Sequence, residues 1–228
     1  MRPSRGLSGS HWMEGRTLAI IIIAGAYLLG SVPFALVIGK GFYRVDVRKH
    51  GSGNVGTTNV FRVLGKSAGV IVFLCDFAKG FAPVLLARLL VDGDDAALIA
   101  VLAAGAAIAG HTWSIFLRFR GGKGVATGGG AVTALMPLLF LLAFTVFWLV
   151  LLAGRMVSVA SLSAAATLCV AVFVTGQPRP YTVFTLAAAA VVTLAHRTNI
   201  RRVIQGSESR VTFPWNRPAR SAGGTSRQ

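Results

Sequence analysis

Residues 124–153 read GVATGGGAVTALMPLLFLLAFTVFWLVLLA, an uncharged run that opens on glycines and carries Pro137 near its middle. In a chain of 228 residues that is 54% hydrophobic and only 13% charged, recurring apolar runs of this kind read as membrane spans. Taken as one span, the run brings the count to six: three up to Leu117, then one each near 131–153, 156–174 and 181–195. An even count puts both chain ends on one face, and the charges argue against that. Two basic islands, 48–62 and 118–130, and a basic tail opening at His196 belong in the cytoplasm, while the turns at 92–95 and 177–179 carry few cations. The run is therefore expected either to divide near Pro137 into a short and a longer helix or to be re-entrant. The first gives an all-α membrane protein with seven crossings, and a merger elsewhere gives five with a re-entrant segment. Either sets the N-terminus outside and the C-terminus in the cytoplasm, although three arginines among residues 1–16 pull mildly the other way.

The expected organisation is a flexible polar extension over 1–16, one transmembrane domain over 17–208 and a disordered basic tail over 209–228. Span 1, near 17–39, contains Gly30-Ser31-Val32-Pro33, where the proline removes a backbone donor and kinks the helix. It lacks an obvious cleavage site and reads as a retained helix, with Met13 an alternative start. Span 2, near 67–91, sets Asp76 and Lys79 on one helical face, where they can neutralise each other inside the bundle. Span 3, near 96–117, holds His111, read as a hydrogen-bonded structural residue. Cys75 and Cys169 lie in apolar runs as small core residues. Ser158, Ser161 and Thr167 read as helix-packing groups.

Basic residues number 23 against 7 acidic, a net charge of +16. The cations lie between and after the apolar runs, without an RNA-binding or zinc-ligand pattern, so nucleic acid gives way to anionic lipid and phosphorylated substrates. The first island, RKHGSGNVGTTNVFR at 48–62, joins three cations to glycines, hydroxyls and amides with no acid. Backbone N–H groups and hydroxyls donate to a phosphate there while Arg and Lys supply charge. In the second, Gly121-Gly122-Lys123-Gly124 offers N–H groups and an ammonium at the mouth of an apolar run. It is not a nucleotide loop, because Gly124 stands where a Walker sequence needs Ser or Thr. No HxxxxD, GxSxG, HExxH or CxxC pattern is present, and no metal site or cofactor is expected. What remains is a set of cations, amides and hydroxyls from three loops, suited to two phosphorylated groups. A transporter of a phosphate-bearing metabolite could use the same loops, but the islands share one face and no inverted repeat is visible.

In order, Gly30-Ser31-Val32-Pro33, GSGNVGTTNVFRVLG at 51–65, Asp76-Phe77-Ala78-Lys79-Gly80, Gly110-His111, GGKGVAT at 121–127 and HRTNIRRVIQGSE at 196–208 resemble the bacterial membrane glycerol-3-phosphate acyltransferases of the acyl-phosphate-dependent type. The resemblance implies seven transmembrane helices in the inner membrane and an active site on the cytoplasmic face. It implies acyl transfer from acyl phosphate to the 1-position of sn-glycerol 3-phosphate, giving lysophosphatidic acid and phosphate in phospholipid synthesis. By motif position it makes Ser52, Arg62, Lys123, His196 and Asn199 catalytic. Gly51, Gly53, Asn54, Thr58, Asn59, Gly121, Gly122 and Gly124 are then expected to contact substrate, and Asp76, Lys79, His111 and Glu208 to be structural. Membrane lipids and the soluble enzyme that makes acyl phosphate are the implied partners.

Overall fold

A computed structural model of the chain describes residues 9–213, which form helices and connections with no strand among them. Residues 1–8 of the expected extension and 214–228 of the expected tail lie outside the described residues. Helix α1, Gly9–Ser31, starts ahead of the apolar run, so the helical region reaches back into the segment read as a flexible extension. Two residues later α2, Phe34–Tyr43, departs at 43°. Then come α3, Thr57–Val63, and four longer or apolar helices: α4, Lys66–Leu90; α5, Ala96–Thr112; α6, Val125–Leu135; and α7, Pro137–Gly154. Helices α8, Val157–Val174, and α9, Arg179–Ala195, complete the bundle, and α10, Arg197–Ile204, turns away from α9 by 60°.

The distribution of side chains is inverted relative to a soluble protein. Ile20, Leu89, Leu138, Leu149 and Val170 are each more than half exposed, at 67, 68, 78, 63 and 63%. Asp76, Lys79 and His111 are at most 7% exposed. Apolar atoms outside and ionisable groups inside are what a hydrocarbon solvent demands. Helices α4, α7, α8 and the stretch from α5 to Leu117 are each long and apolar enough to cross a bilayer, as are the bent pairs α1–α2 and α9–α10.

The 124–153 run does divide at Pro137: α6 ends at Leu135, Met136 takes φ −142° and ψ 70°, and α7 starts at the proline. Proline at the first helical position sacrifices no hydrogen bond, since that N–H has no helical acceptor. The break orphans carbonyls at the end of α6, and the Arg88 guanidinium from α4 donates to that of Ala134. The other proline break is treated the same way. Lys79 Nζ donates to the freed Val32 carbonyl at 3.0 Å and Ser114 Oγ to that of Ser31 at 2.6 Å. Inside a membrane, where water cannot substitute, each break needs such a donor.

Two helix pairs meet backbone to backbone. A Cβ on Gly30 would strike the Ala107 carbonyl and one on Gly110 that of Tyr27, joining α1 to α5. Likewise a Cβ on Gly80 would strike the Thr127 carbonyl and one on Gly130 that of Phe77, joining α4 to α6. At this second junction Asp76 and Lys79 pair at 2.8 Å, each side chain 3% exposed, as their spacing leads one to expect. Breaking such a pair strands a buried charge, at a cost of about 3–5 kcal/mol.

Candidate active site

Three separated segments meet at one end of the bundle. Lys123, in the loop before α6, sends Nζ to Asn199 Oδ1 at 2.5 Å, and Asn199 Nδ2 donates to Glu208 Oε1 at 2.7 Å. Glu208 also accepts from Ser158 Oγ at 2.6 Å and lies 3.3 Å from Arg202 Nε through its other oxygen. Burial alone would raise the Glu208 carboxyl, but the hydrogen bonds from Ser158 and Asn199 and the charges of Arg202 and Lys123 outweigh it and hold it below the ordinary range. Burial pushes the Lys123 ammonium down to about 8; Glu208 opposes that shift, while Arg202 and Arg62 add to it. The Arg62 charge adds to the same lowering, the one link between the first island and this cluster among the described residues. The bend between α9 and α10 makes this meeting possible, because it swings Asn199 back over the bundle end. After Glu208 the chain makes one further attachment, Val211 N–H donating to the Arg155 carbonyl at 2.7 Å.

The second island is positioned by His111. Its carbonyl accepts from Gly122 N–H and the Thr112 carbonyl from Gly121 N–H, both at 3.0 Å. Its ring occupies the space where a Cβ of Gly122 would stand, so only glycine fits. Nδ1 lies 3.2 Å from Thr127 Oγ1 in the first turn of α6 and 3.8 Å from Asp76 Oδ1. The buried pair on α4 is thus linked through His111 to the loop that presents Lys123. Gly124 caps α6 with φ 76°, leaving the first N–H groups of that helix at the end of the loop that carries Lys123.

The first island has a different construction. Asn59 is 1% exposed: Nδ2 donates to the carbonyls of Val47 at 2.9 Å and His50 at 3.2 Å, and Oδ1 accepts from Ser52 N–H at 2.8 Å. The Asn59 amide, expected to meet substrate, here holds the loop. Asn54, half-buried, instead closes a local turn, its Oδ1 accepting from Gly56 N–H at 2.8 Å ahead of α3. Gly51 takes φ 61° with the Asn59 amide where a side chain would go. Ser52, Gly53 and Arg62 are exposed, and Thr58 is half-buried beside Thr57, whose buried hydroxyl has no partner among the described residues. No hydrogen bond links Ser52 to Lys123 or to any base among the described residues. His196 is 2% exposed with Nδ1 2.8 Å from the Val192 carbonyl; donation there leaves Nε2 as the acceptor.

Several participants escaped the sequence reading. Ser158, read as a packing group, is a donor to Glu208, and Arg202 accompanies it. Arg202 lies one helical turn beyond Asn199, a spacing that could have flagged it. Asp46 caps the turn Val47–Lys49 and takes Arg48 by a fork of two bonds, so one cation of the first island is already neutralised.

An all-helical membrane protein with cations, amides and glycine loops gathered at one end of its bundle is the class that fold and site define. The glycerol-3-phosphate acyltransferase family profile matches residues 20–206, and the chain belongs to that family. A glycerol-3-phosphate acyltransferase of Rubrobacter xylanophilus is 45% identical over 191 residues, 84% of this chain and 94% of that protein. One from Geobacillus kaustophilus is 41% identical over 200 residues, 88% of this chain and all of its own length (100%). The crystal structure of PlsY (YgiH), an integral membrane glycerol 3-phosphate acyltransferase, in its glycerol 3-phosphate form matches with TM-score 0.81 and 41% identity over 86% of this chain and 96% of that one. Its lysophosphatidic acid form matches with TM-score 0.79 and 39% identity over the same shares, 86% and 96%.

Proposed function

We propose that the protein transfers a fatty acyl group from acyl phosphate to the 1-position of sn-glycerol 3-phosphate, giving lysophosphatidic acid and inorganic phosphate. The observation that carries this reading is the Lys123–Asn199 bond at 2.5 Å with Arg62 and Arg202 close enough to perturb the ammonium. Such a cluster suits one phosphate that stays and another that leaves. The glycerol hydroxyl attacks the acyl carbonyl, the carbonyl–phosphate C–O bond breaks, and the proton passes to a substrate phosphate oxygen. Lys123 and Arg62 neutralise phosphate charge, and Asn199, Ser52 and the N–H groups of the glycine loops orient oxygens. Acyl phosphate is a mixed anhydride with a good leaving group, so no strong base is required. Glu208 is in any case engaged by Ser158, Asn199 and Arg202.

The topology that suits this chemistry has seven crossings, an outside N-terminus and a cytoplasmic site in the bacterial plasma membrane. It is supported by the two ends of the α6–α7 unit. Helix α6 starts beside Lys123, and α7 ends at Gly154, next to the Arg155 carbonyl that holds Val211. Both ends therefore lie at the site end of the bundle, as a hairpin of two crossings requires. A soluble enzyme that makes acyl phosphate is the expected supplier.

Purified protein given acyl phosphate and glycerol 3-phosphate should release phosphate and form lysophosphatidic acid, and acyl-CoA should not replace the donor. Turnover with acyl-CoA but not acyl phosphate would refute the donor. Phosphate-metabolite uptake into liposomes without any turnover would replace the enzyme reading with transport.

A further inference from the structure

Beside the first island lies a cavity of about 410 Å³ lined by Arg48, Leu117, Arg118 and Arg120. None of Ser52, Arg62, Lys123, His196 or Asn199 lines it. Its charges are out of balance. Arg48 is held by Asp46 at 2.6 Å, and Lys40 approaches the same carboxylate at 3.3 Å. The guanidinium groups of Arg118 and Arg120 have no ion pair or hydrogen bond among the described residues. Four cations against one acid leave three positive charges at this place.

The backbone is bent to bring the arginines together. Arg118 at φ 51° and Phe119 at φ 60° are consecutive non-glycine residues in the left-handed region. The turn is held by Phe119 N–H to the Ser114 carbonyl at 2.8 Å and Arg120 N–H to that of Leu117 at 3.1 Å. Strain of this kind persists only where the surroundings enforce it. The same turn is apolar on its outside: Ile115, Phe116 and Phe119 are 48, 60 and 60% exposed. Loop cations that merely orient a membrane protein need neither a shared cavity nor an apolar border.

We propose that this cavity binds the phosphate headgroup of an anionic membrane lipid, whose acyl chains lie along Ile115, Phe116 and Phe119. Planar guanidinium groups match phosphate oxygens in pairs, and the weak hydration of arginine suits a headgroup at the bilayer surface. A freely soluble anion would have no use for the aromatic border, whereas a lipid needs both parts. The site is separate from the acyl-transfer centre and serves to seat the protein against an anionic leaflet.

The test uses the full chain in neutral detergent, with phosphatidylglycerol, phosphatidylcholine and inorganic phosphate as probes, read by native mass spectrometry and thermal unfolding. Phosphatidylglycerol should bind and raise Tm, and the other two should not. The double variant R118Q/R120Q should bind phosphatidylglycerol about thirtyfold more weakly, about fivefold for each near-surface cation. Its acyl transfer in phosphatidylcholine vesicles should equal that of the unaltered chain. Equal binding of the two lipids, or undiminished binding by the double variant, overturns the proposal; retention of inorganic phosphate in preference to lipid reassigns the cavity to a soluble anion. If the double variant does not fold, salt decides on the unaltered protein. Screening should release phosphatidylglycerol, and its retention at high salt defeats the idea. Because binding is read directly, the result stands even if the donor proposed above is wrong.

Discussion

The two halves of the candidate site carry similar residue types and are built by opposite means. Lys123, Asn199 and Glu208 form a continuous chain of side-chain bonds anchored on α8 and α10. Ser52 and Arg62 are exposed on a loop whose shape depends on one buried amide, Asn59, bonded to three backbone groups. One half is preorganised through the groups that would meet substrate; the other is preorganised beneath them. Loss of a functional side chain and loss of its support should therefore be separable in the first island and inseparable in the Lys123 network.

The largest effect should come from K123M, with kcat lowered about a thousandfold, the scale of losing a principal electrostatic donor. Its Tm should fall as well, since Asn199 Oδ1 loses the donor that ties it to the loop before α6. In the unaltered enzyme the rate should decline as pH rises past about 8, because burial lowers Lys123 to that value and only the protonated form carries charge. A flat alkaline limb up to pH 10 would show that the ammonium is not needed.

Next should be G122A, about a hundredfold slower, because a Cβ there collides with the His111 ring and moves the loop. The double variant G122A/H111A should recover part of the loss. Recovery would establish His111 as a positioning residue, and a loss larger than either single change would count against it. Asn59→Ala should cost about 2–3 kcal/mol in unfolding free energy through its three hydrogen bonds. Asn59→Asp should restore little, since both Nδ2 donors vanish. If Asn59→Ala instead abolished turnover at full stability, Asn59 would be a substrate contact after all.

The smallest effect should be Ser158→Ala, about 1 kcal/mol in unfolding free energy, with acid sensitivity increased. The Glu208 carboxyl titrates below its ordinary value, so its stabilising contribution is present above pH about 4.5 and is lost as pH falls through its lowered value in the folded protein. Without Ser158 that loss should begin at a higher pH, as urea unfolding across the acid range would show.

Much of the fold was legible because membrane physics acts on local sequence. Cation placement called for an odd crossing count, which left 124–153 either to divide near Pro137 or to re-enter, and the helix does break at that proline. Asp76 and Lys79 were readable as a pair because their spacing sets them on one face of a span where a lone charge is costly. The site was less legible. Asn54 and Asn59 look alike in GSGNVGTTN, and only the placement of α3 against the turn Val47–Lys49 decides which faces inward. Ser158 and Arg88 act on partners 50 and 46 residues away, which no local pattern encodes. One physical signal was available for Arg88: the proline break leaves carbonyls in need of a donor, and a lone arginine in the last turn of span 2 can provide one.

The four glycine junctions also determine where the bundle can give way. Helices that touch through side chains slide past one another by changing rotamers, whereas helices in backbone contact must separate bodily to move. Gly30 and Gly110 fasten α1 to α5, and Gly80 and Gly130 fasten α4 to α6. Helices α7, α8 and α9 have no such junction among the described residues. Any separation of helices is therefore easier along α7–α9 than between α1 and α5 or between α4 and α6.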